Sequence, residues 1–552
     1  MVGQSMTLHG QAMYDGAGTP GYVGELPDVA PAFDGATLVY RAHRIRETAH
    51  IVQERSTGRV GLAPGGEAAP PRPAVDATHR FLGALPPLYP EWLGDLAFCT
   101  YHGVRFPYVG GEMAGGIATT RMVTELAHAD MLGFFGAGGL DYAEVERAVV
   151  ELAQRLGDRR NWGVNLIHSP QEPGLEECVA GLLVAREVPV VSASAYMSLT
   201  PAVVRCAVSG LSTDPEGGIV RRTRMFAKVS RPEVAEQFMS PAPPAILREL
   251  LARGEITARE ADLAAHVPVA DDITVEADSG GHTDNRPLAV LLPALLSLRA
   301  ELTVRHGYLV PPRVGAAGGL GTPEAVASAF AMGAAYVVTG SVNQVAVESG
   351  LSDKAKRLLD QADVADVTMA PASDMFELGV KLQVLRRGTM FAARANQLWE
   401  VYRSCESLEA IPPEVRDRLE RDVLRSTIDE AWSGTRQYWR ERDPAQLARA
   451  ERDPKHRMAL VFRSYLGQSS RWAIAGEPDR RADYQIWCGP AMGAFNRWTR
   501  GSFLAGPEYR SVVQIARNLL EGAAVLTRAH QLRSYGVQLP AAAFSYRPRP
   551  LT

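Results

Sequence analysis

Between residues 101 and 342 the chain alternates eight times between a short β-rich run and a helical pattern, and this regularity constrains its fold more than any other feature. The runs are Phe106–Gly110, Leu132–Phe135, Trp162–Ile167, Val188–Ala193, Met225–Val229, Ile273–Ala277, Arg313–Ala317 and Ala335–Thr339. Most are continuously apolar rather than alternating, as parallel strands buried on both faces should be. Helix start signals lie between them. Asp141-Tyr-Ala-Glu144 is a capping box that opens an apolar stripe of Val145, Val149, Leu152 and Leu156. Thr200-Pro201 and Thr322-Pro323 each place a capping residue before a proline at the first helical position. Strict alternation implies a parallel sheet with right-handed crossovers. Eight repeats in about 240 residues match a closed α/β barrel, the (β/α)8 or TIM fold, which runs to roughly 250. A doubly wound open sheet is the alternative; glycines after the seventh and eighth strands favour closure.

The flanking regions differ in pattern. Residues 1–100 read as an N-terminal extension, with 1–35 rich in Gly and Pro and poorly ordered. A hairpin is expected within Val39–Val60 around Thr57-Gly58, and a linker over Ala63–Pro73. The barrel occupies 101–342, with a helical insertion at about 231–272 supported by the capping box Thr257-x-x-Glu260. From Asn343 no strand-like alternation persists, so 343–552 is predicted to form a large, mostly helical C-terminal domain. Its tryptophans and tyrosines, among them Trp399, Tyr438, Trp472 and Trp487, are frequent.

A hydrophobic content of 46% allows a large core, and a net charge of −4 gives no general attraction for nucleic acid. The first residues have neither a basic nor an apolar leader region, and the longest apolar stretch, Leu288–Leu298, is too short to span a bilayer. Five scattered cysteines without a CxxC pair fit packing thiols in a reducing cytoplasm. Neither nucleic acid nor membrane is expected as a partner; a homodimer stands open.

Chemistry concentrates where barrel strands end. Ala317, Gly318 and Gly319 follow the seventh strand, and Gly340 and Ser341 follow the eighth. Those two loops are the usual phosphate cradle of this fold, because free N–H groups there point at the anion. Tight turns alone would also use glycine. After the sixth strand, Ser279, Gly280 and Gly281 lead into His282, a candidate acid or base at the barrel mouth. Lys228 lies inside the fifth strand, where an unpaired cation would be unfavourable. It pairs either with an anionic cofactor edge or with Glu276 or Asp278 on the neighbouring strand. No Walker, zinc, GxSxG or complete GxGxxG pattern occurs, so no metal site and no separate nicotinamide domain are expected.

The segments Gly110–Gly116, Met131–Gly139, Trp162–Leu166, Ser279–His282 and Ala317–Gly319 resemble the FMN barrels of the nitronate monooxygenase and enoyl-ACP reductase superfamily. Val275–Pro287, Ala372–Ala395 and Arg452–Leu466 look like its PfaD branch, the free-standing enoyl reductases of polyunsaturated fatty acid and trans-acyltransferase polyketide pathways. The resemblance spans roughly residues 80–540. It implies FMN as cofactor and NADPH (or NADH) as hydride donor. The implied substrate is an α,β-unsaturated thioester on an acyl carrier protein, within a polyketide or fatty acid synthase. Gly111, Met113 and Ala114 would line the flavin, and Asn165 would bond its pyrimidine edge. Gly281, Gly318, Gly319, Gly340 and Ser341 would hold ribityl and phosphate, and His282 would be the active-site histidine. Asp278 stands where the small single-domain reductases have Glu, which weakens that template for substrate contacts. Nitronate monooxygenase is the enzymatic alternative, and a non-catalytic flavin-bound megasynthase subunit is the other.

Overall fold

The computed structural model describes residues 30–64, 78–170 and 172–552, which divide into two compact units. The first unit is drawn from Met1–Leu88 and Val525–Ser545. In it the strands Val60–Pro64, Ala49–Glu54 and His79–Leu85 form an antiparallel sheet in that order. Thr57-Gly58 does make a turn, with Gly58 at φ +72°. The hairpin expected over Val39–Val60 begins later, because Asp34 caps a helix over Gly35–Ala42. Leu38, Ile51, Leu62, Leu532 and Val537 form this unit's core. Most of the stretch expected to be poorly ordered, residues 1–29, and residues 65–73 of the expected linker lie outside the described residues.

The second unit contains a closed barrel of eight parallel strands: β1 (Tyr108–Gly110), β2 (Leu132–Phe135), β3 (Trp162–Ile167), β4 (Val190–Ser194), β5 (Arg224–Val229), β6 (Asp272–Glu276), β7 (Arg313–Ala317) and β8 (Val337–Thr339). Each pairs with its sequence neighbours, and β8 pairs with β1 to close the ring. The continuous apolar runs are buried on both faces, inside by the lumen and outside by the crossover helices. Thr119, Asp141, Thr200 and Thr322 cap four of those helices, each accepting from a backbone N–H two or three residues on.

A helix over Leu96–His102 plugs the N-terminal end of the barrel. Its Phe98 stacks on Tyr336 at 4.4 Å between ring centroids, and Phe226 and Phe134 extend the aromatic layer. Truncating one such fully buried ring typically costs about 3–5 kcal/mol, so this layer anchors the barrel end away from the site. Between β5 and β6 run three helices, Pro232–Met239, Pro244–Ala252 and Ala258–Ala264, the last with the capping box at Thr257 and Glu260.

Beyond the barrel the chain is helical, with its longest helices at Ile428–Arg442, Pro454–Ala475 and Val512–Ser534. The absence of strands expected there is corrected. Val367–Pro371 and Lys381–Leu385 pair antiparallel, and Gly281–His282 from the loop after β6 adds to Lys381–Leu385 as a third strand. Only five residues long, each is too short for its alternation to stand out among helical patterns. Their partner also comes from a glycine-rich loop about 100 residues earlier. Phe376, Phe391, Phe462 and Tyr465 pack this small sheet onto the helices. Among the described residues no helix is long and apolar enough to cross a membrane.

Candidate active site

A cavity of about 1780 Å³ opens over the C-terminal ends of the barrel strands. Its lining includes every residue singled out from sequence: Gly111, Met113, Ala114, Asn165, Lys228, Ser279, Gly280, Gly281, His282, Ala317, Gly318, Gly319, Gly340 and Ser341. Strand ends scattered over 230 residues of sequence meet there because closure brings all eight C-termini to one rim.

The loop after β6 is held by the small sheet. Gly281 faces Gln383 and His282 faces Leu382 in the antiparallel register, while Gln383 donates to Asp278 Oδ1 and to the Ser279 carbonyl, each at 2.7 Å. Gly280 is small for a reason internal to the protein: a Cβ there would lie 2.7 Å from the Cys488 backbone nitrogen. His282 Nε2 lies 3.2 Å from Oδ1 of Asp374, in the loop after strand Val367–Pro371. Burial alone would lower the imidazole pKa, but the Asp374 carboxylate, helped by Glu276, holds it above 6.5. His282 is therefore kept toward its charged, donating form.

The glycines of loops seven and eight divide into two kinds. Gly318 has φ +86°, and a Cβ on it would sit 2.7 Å from the Ala277 carbonyl carbon, so the fold itself excludes a side chain. A Cβ on Gly319 or Gly340 would meet nothing within 4 Å, leaving their backbone open to the cavity. Asn165 donates to the Ser192 carbonyl and the Ser194 hydroxyl, which fixes the side-chain amide toward β4.

Lys228 resolves into an ion cluster. Its Nζ lies 3.1 Å from Glu276 and 3.7 Å from Glu112, not beside Asp278, which instead bonds Gln383 and Asn285. Glu112 lies two residues after the end of β1, the strand diametrically across the ring from β5, so the cluster spans the lumen and floors the cavity. Burial would lower the Lys228 pKa, yet its two carboxylates hold it well above the ordinary value. Burial raises the Glu112 carboxyl against the pull of Lys228 and Ser192. Among the described residues, Glu112 Oε2 and Gln344 Oε1 are buried without a hydrogen-bond partner, and both residues line this cavity. Glu112 lay in plain view within Gly110–Gly116, but nothing in sequence reveals a partner across a barrel.

The helices Ile428–Arg442 and Pro454–Ala475 form the outer wall. Gly434, Tyr438 and Arg442 line the cavity from one, and Gly467, Arg471 and Trp472 from the other. Arg442 forms an ion pair with Glu172, which follows β3, and so ties wall to barrel.

Residues 405–484 match the family model described as the inserted helical domain of [acyl-carrier-protein] S-malonyltransferase. The chain is 47% identical over 466 residues to a polyunsaturated fatty acid synthase subunit of Thraustochytrium sp., covering 83% of this chain and 31% of that protein. It is 43% identical over 445 residues to the polyketide biosynthesis protein PksE of Bacillus subtilis, covering 81% and 58%. Across the curated relatives it matches, the chain spans between 22% and 58% of their length. The crystal structure of the enoyl reductase domain of MlnA, from the macrolactin biosynthesis cluster of Bacillus amyloliquefaciens, superposes with a TM-score of 0.76 at 36% identity. That match covers 81% of this chain and 100% of that domain. With its barrel and helical wall matched over the whole of that domain, the chain belongs to the PfaD family of enoyl reductases of polyketide and polyunsaturated fatty acid synthases.

Proposed function

We propose that the chain reduces the α,β-double bond of an enoyl thioester carried on an acyl carrier protein, using FMN and NADPH, in polyketide or polyunsaturated fatty acid synthesis. The observation that carries this reading is the large cavity in which open strand-end glycines, the His282–Asp374 pair and a helical wall converge. The residues present fit FMN. Gly319 and Gly340 leave backbone exposed where a phosphate sits in this fold. When bound, the flavin relays a hydride equivalent from the nicotinamide to the β-carbon of the thioester.

The chain's own residues do the rest. Asn165, already oriented by Ser192 and Ser194, would meet the pyrimidine edge. His282 would donate toward the thioester carbonyl and stabilise negative charge as it develops there. The helical wall excludes water and leaves room for an extended acyl-pantetheine arm. Its likeness to a domain of a carrier-protein transacylase supports a carrier-bound substrate. The Asp374 carboxylate beside His282 favours its protonated, donating form, which fits reduction better than proton abstraction from a nitroalkane.

The test is anaerobic turnover of a crotonyl-carrier protein with NADPH, read by mass spectrometry of the carrier. A gain of two hydrogens on the acyl group, with FMN released on denaturation, is expected. No reduction, or oxygen consumption with a nitroalkane instead, overturns the reading.

A further inference from the structure

The cluster on the cavity floor places one ammonium between two carboxylates, Glu112 and Glu276. One ammonium beside two carboxyl groups is electrically neutral only when one of the carboxyls keeps its proton. The Glu112 side chain is 4% exposed and the Glu276 side chain 16%, so Glu112 has less solvent to stabilise its charge. Glu276 also has the shorter contact with Lys228 and accepts a hydrogen bond from the Ser279 hydroxyl at 3.2 Å. The proton therefore belongs on Glu112.

Among the described residues that proton has no acceptor, and the residue that carries it lines the cavity. Oε1 of Glu112 faces Lys228, while Oε2 is buried without a partner in a residue that lines the cavity. A buried carboxyl oxygen left unpaired is unfavourable, and such a position persists where a ligand completes the bond. His282, by contrast, has Nε2 engaged by Asp374, and its charge serves the thioester oxygen rather than carbon.

We propose that Glu112 is the acid that protonates the α-carbon of the enoyl thioester; this rests on the reading of the chain as an enoyl reductase. The double bond accepts a hydride equivalent at its β-carbon from the nicotinamide-reduced cofactor, and its π electrons pass to the α-carbon and carbonyl oxygen. The Glu112 O–H bond breaks, its proton forms the new α C–H bond, and the electron pair remains on Glu112 as a carboxylate facing Lys228. Water entering the vacated cavity restores the proton. The sum is enoyl thioester, NADPH and one proton giving acyl thioester and NADP⁺.

Glu112→Gln keeps the size and the contact with Lys228 but has no acid proton. Infrared spectroscopy of the resting holoprotein at neutral pH should show a protonated carboxyl band that shifts in D₂O and is missing from Glu112→Gln. In anaerobic stopped flow, the variant's flavin should be reduced by NADPH within several-fold of wild type. Its reoxidation by crotonyl-carrier protein should slow by about 10²–10⁴. Glu112→Asp, which restores the acid on a shorter arm, should recover part of that rate, which rules out a misfolded Gln variant. A wild-type protein without the band, a band that persists in Glu112→Gln, or reoxidation of that variant at the wild-type rate overturns the assignment. If wild-type protein itself fails to reduce the thioester, the enzyme reading falls first.

Discussion

Strand β6 carries an acid at each end, and the two ends have opposite designs. At the N-terminal end Asp272 is fully buried and receives two bonds of 2.7 Å from Arg313 and one of 2.8 Å from His102. Arg313 also lies 4.3 Å from the centroid of the Tyr101 ring, so the guanidinium is engaged by both the carboxylate and the ring. Burial lowers the His102 pKa against the pull of Asp272, and its Nδ1 is buried without a partner. At the C-terminal end, four residues and about 13 Å along the strand, Glu276 shares Lys228 with Glu112 over an open cavity. The same residue types serve as a lock where both oxygens of the Asp272 carboxylate are paired, and face an open cavity where one oxygen of Glu112 has no partner. What separates the two ends of this strand is how fully their carboxylates are paired and whether a cavity lies beside them, not charge.

The largest expected effect lies at the open end. Gly340→Asp places a carboxylate where nothing lies within 4 Å of the new Cβ, so the fold should survive while flavin binding and activity are lost. Gly318→Ala should do the reverse, since its Cβ would meet the Ala277 carbonyl carbon at 2.7 Å, and should lower the melting temperature. Circular dichroism and flavin content measured on both variants would break the comparison if they changed together.

His282→Ala comes next. Flavin reduction by NADPH should stay within several-fold of wild type, while reoxidation by the enoyl-carrier substrate slows by about 10²–10⁴. A purely structural histidine would instead depress both half-reactions, or flavin occupancy, in stopped flow.

At the sealed end the effect is on stability alone. Asp272→Ala leaves Arg313 buried and uncompensated, which should destabilise the barrel by roughly 3–5 kcal/mol in denaturant unfolding. The rate of any residual folded holoprotein should be unchanged.

The smallest effect sharpens the role of Asp374. Because Asp374 holds the His282 pKa above 6.5 against burial, Asp374→Asn should move the alkaline limb of the enoyl step to lower pH. The sign for stability follows the same shift. A raised histidine contributes stability that is complete below pH 6.5 and lost as pH rises through its folded value, so the variant should lose that dependence. NMR titration of His282 checks both.

The barrel was legible because its signal is repetitive: eight apolar runs separated by capped helices leave few alternatives. Three of the runs, Leu132–Phe135, Trp162–Ile167 and Arg313–Ala317, have the same bounds in the structure. Glycines and His282 at strand ends were legible for the same reason, since closure sends every strand end to one rim. The partners of those residues were not. Asp374 lies 92 residues from His282 in a segment whose short strands are masked by helical surroundings. Glu112 and Lys228 meet only because β1 and β5 face each other across a closed ring. Local pattern reports elements, whereas ion pairs at a barrel mouth depend on closure, which no window of sequence contains.

Anaerobic double-mixing stopped flow tests the central claim most directly. Wild-type protein is first reduced with NADPH and then mixed with crotonyl-carrier protein while the flavin absorbance is followed. The claim that the open end of the barrel is an enoyl-reducing site predicts bleaching in the first step. It also predicts recovery in the second, in proportion to the butyryl-carrier formed. Flavin that NADPH does not bleach, or bleached flavin that the enoyl carrier leaves unchanged, would contradict it.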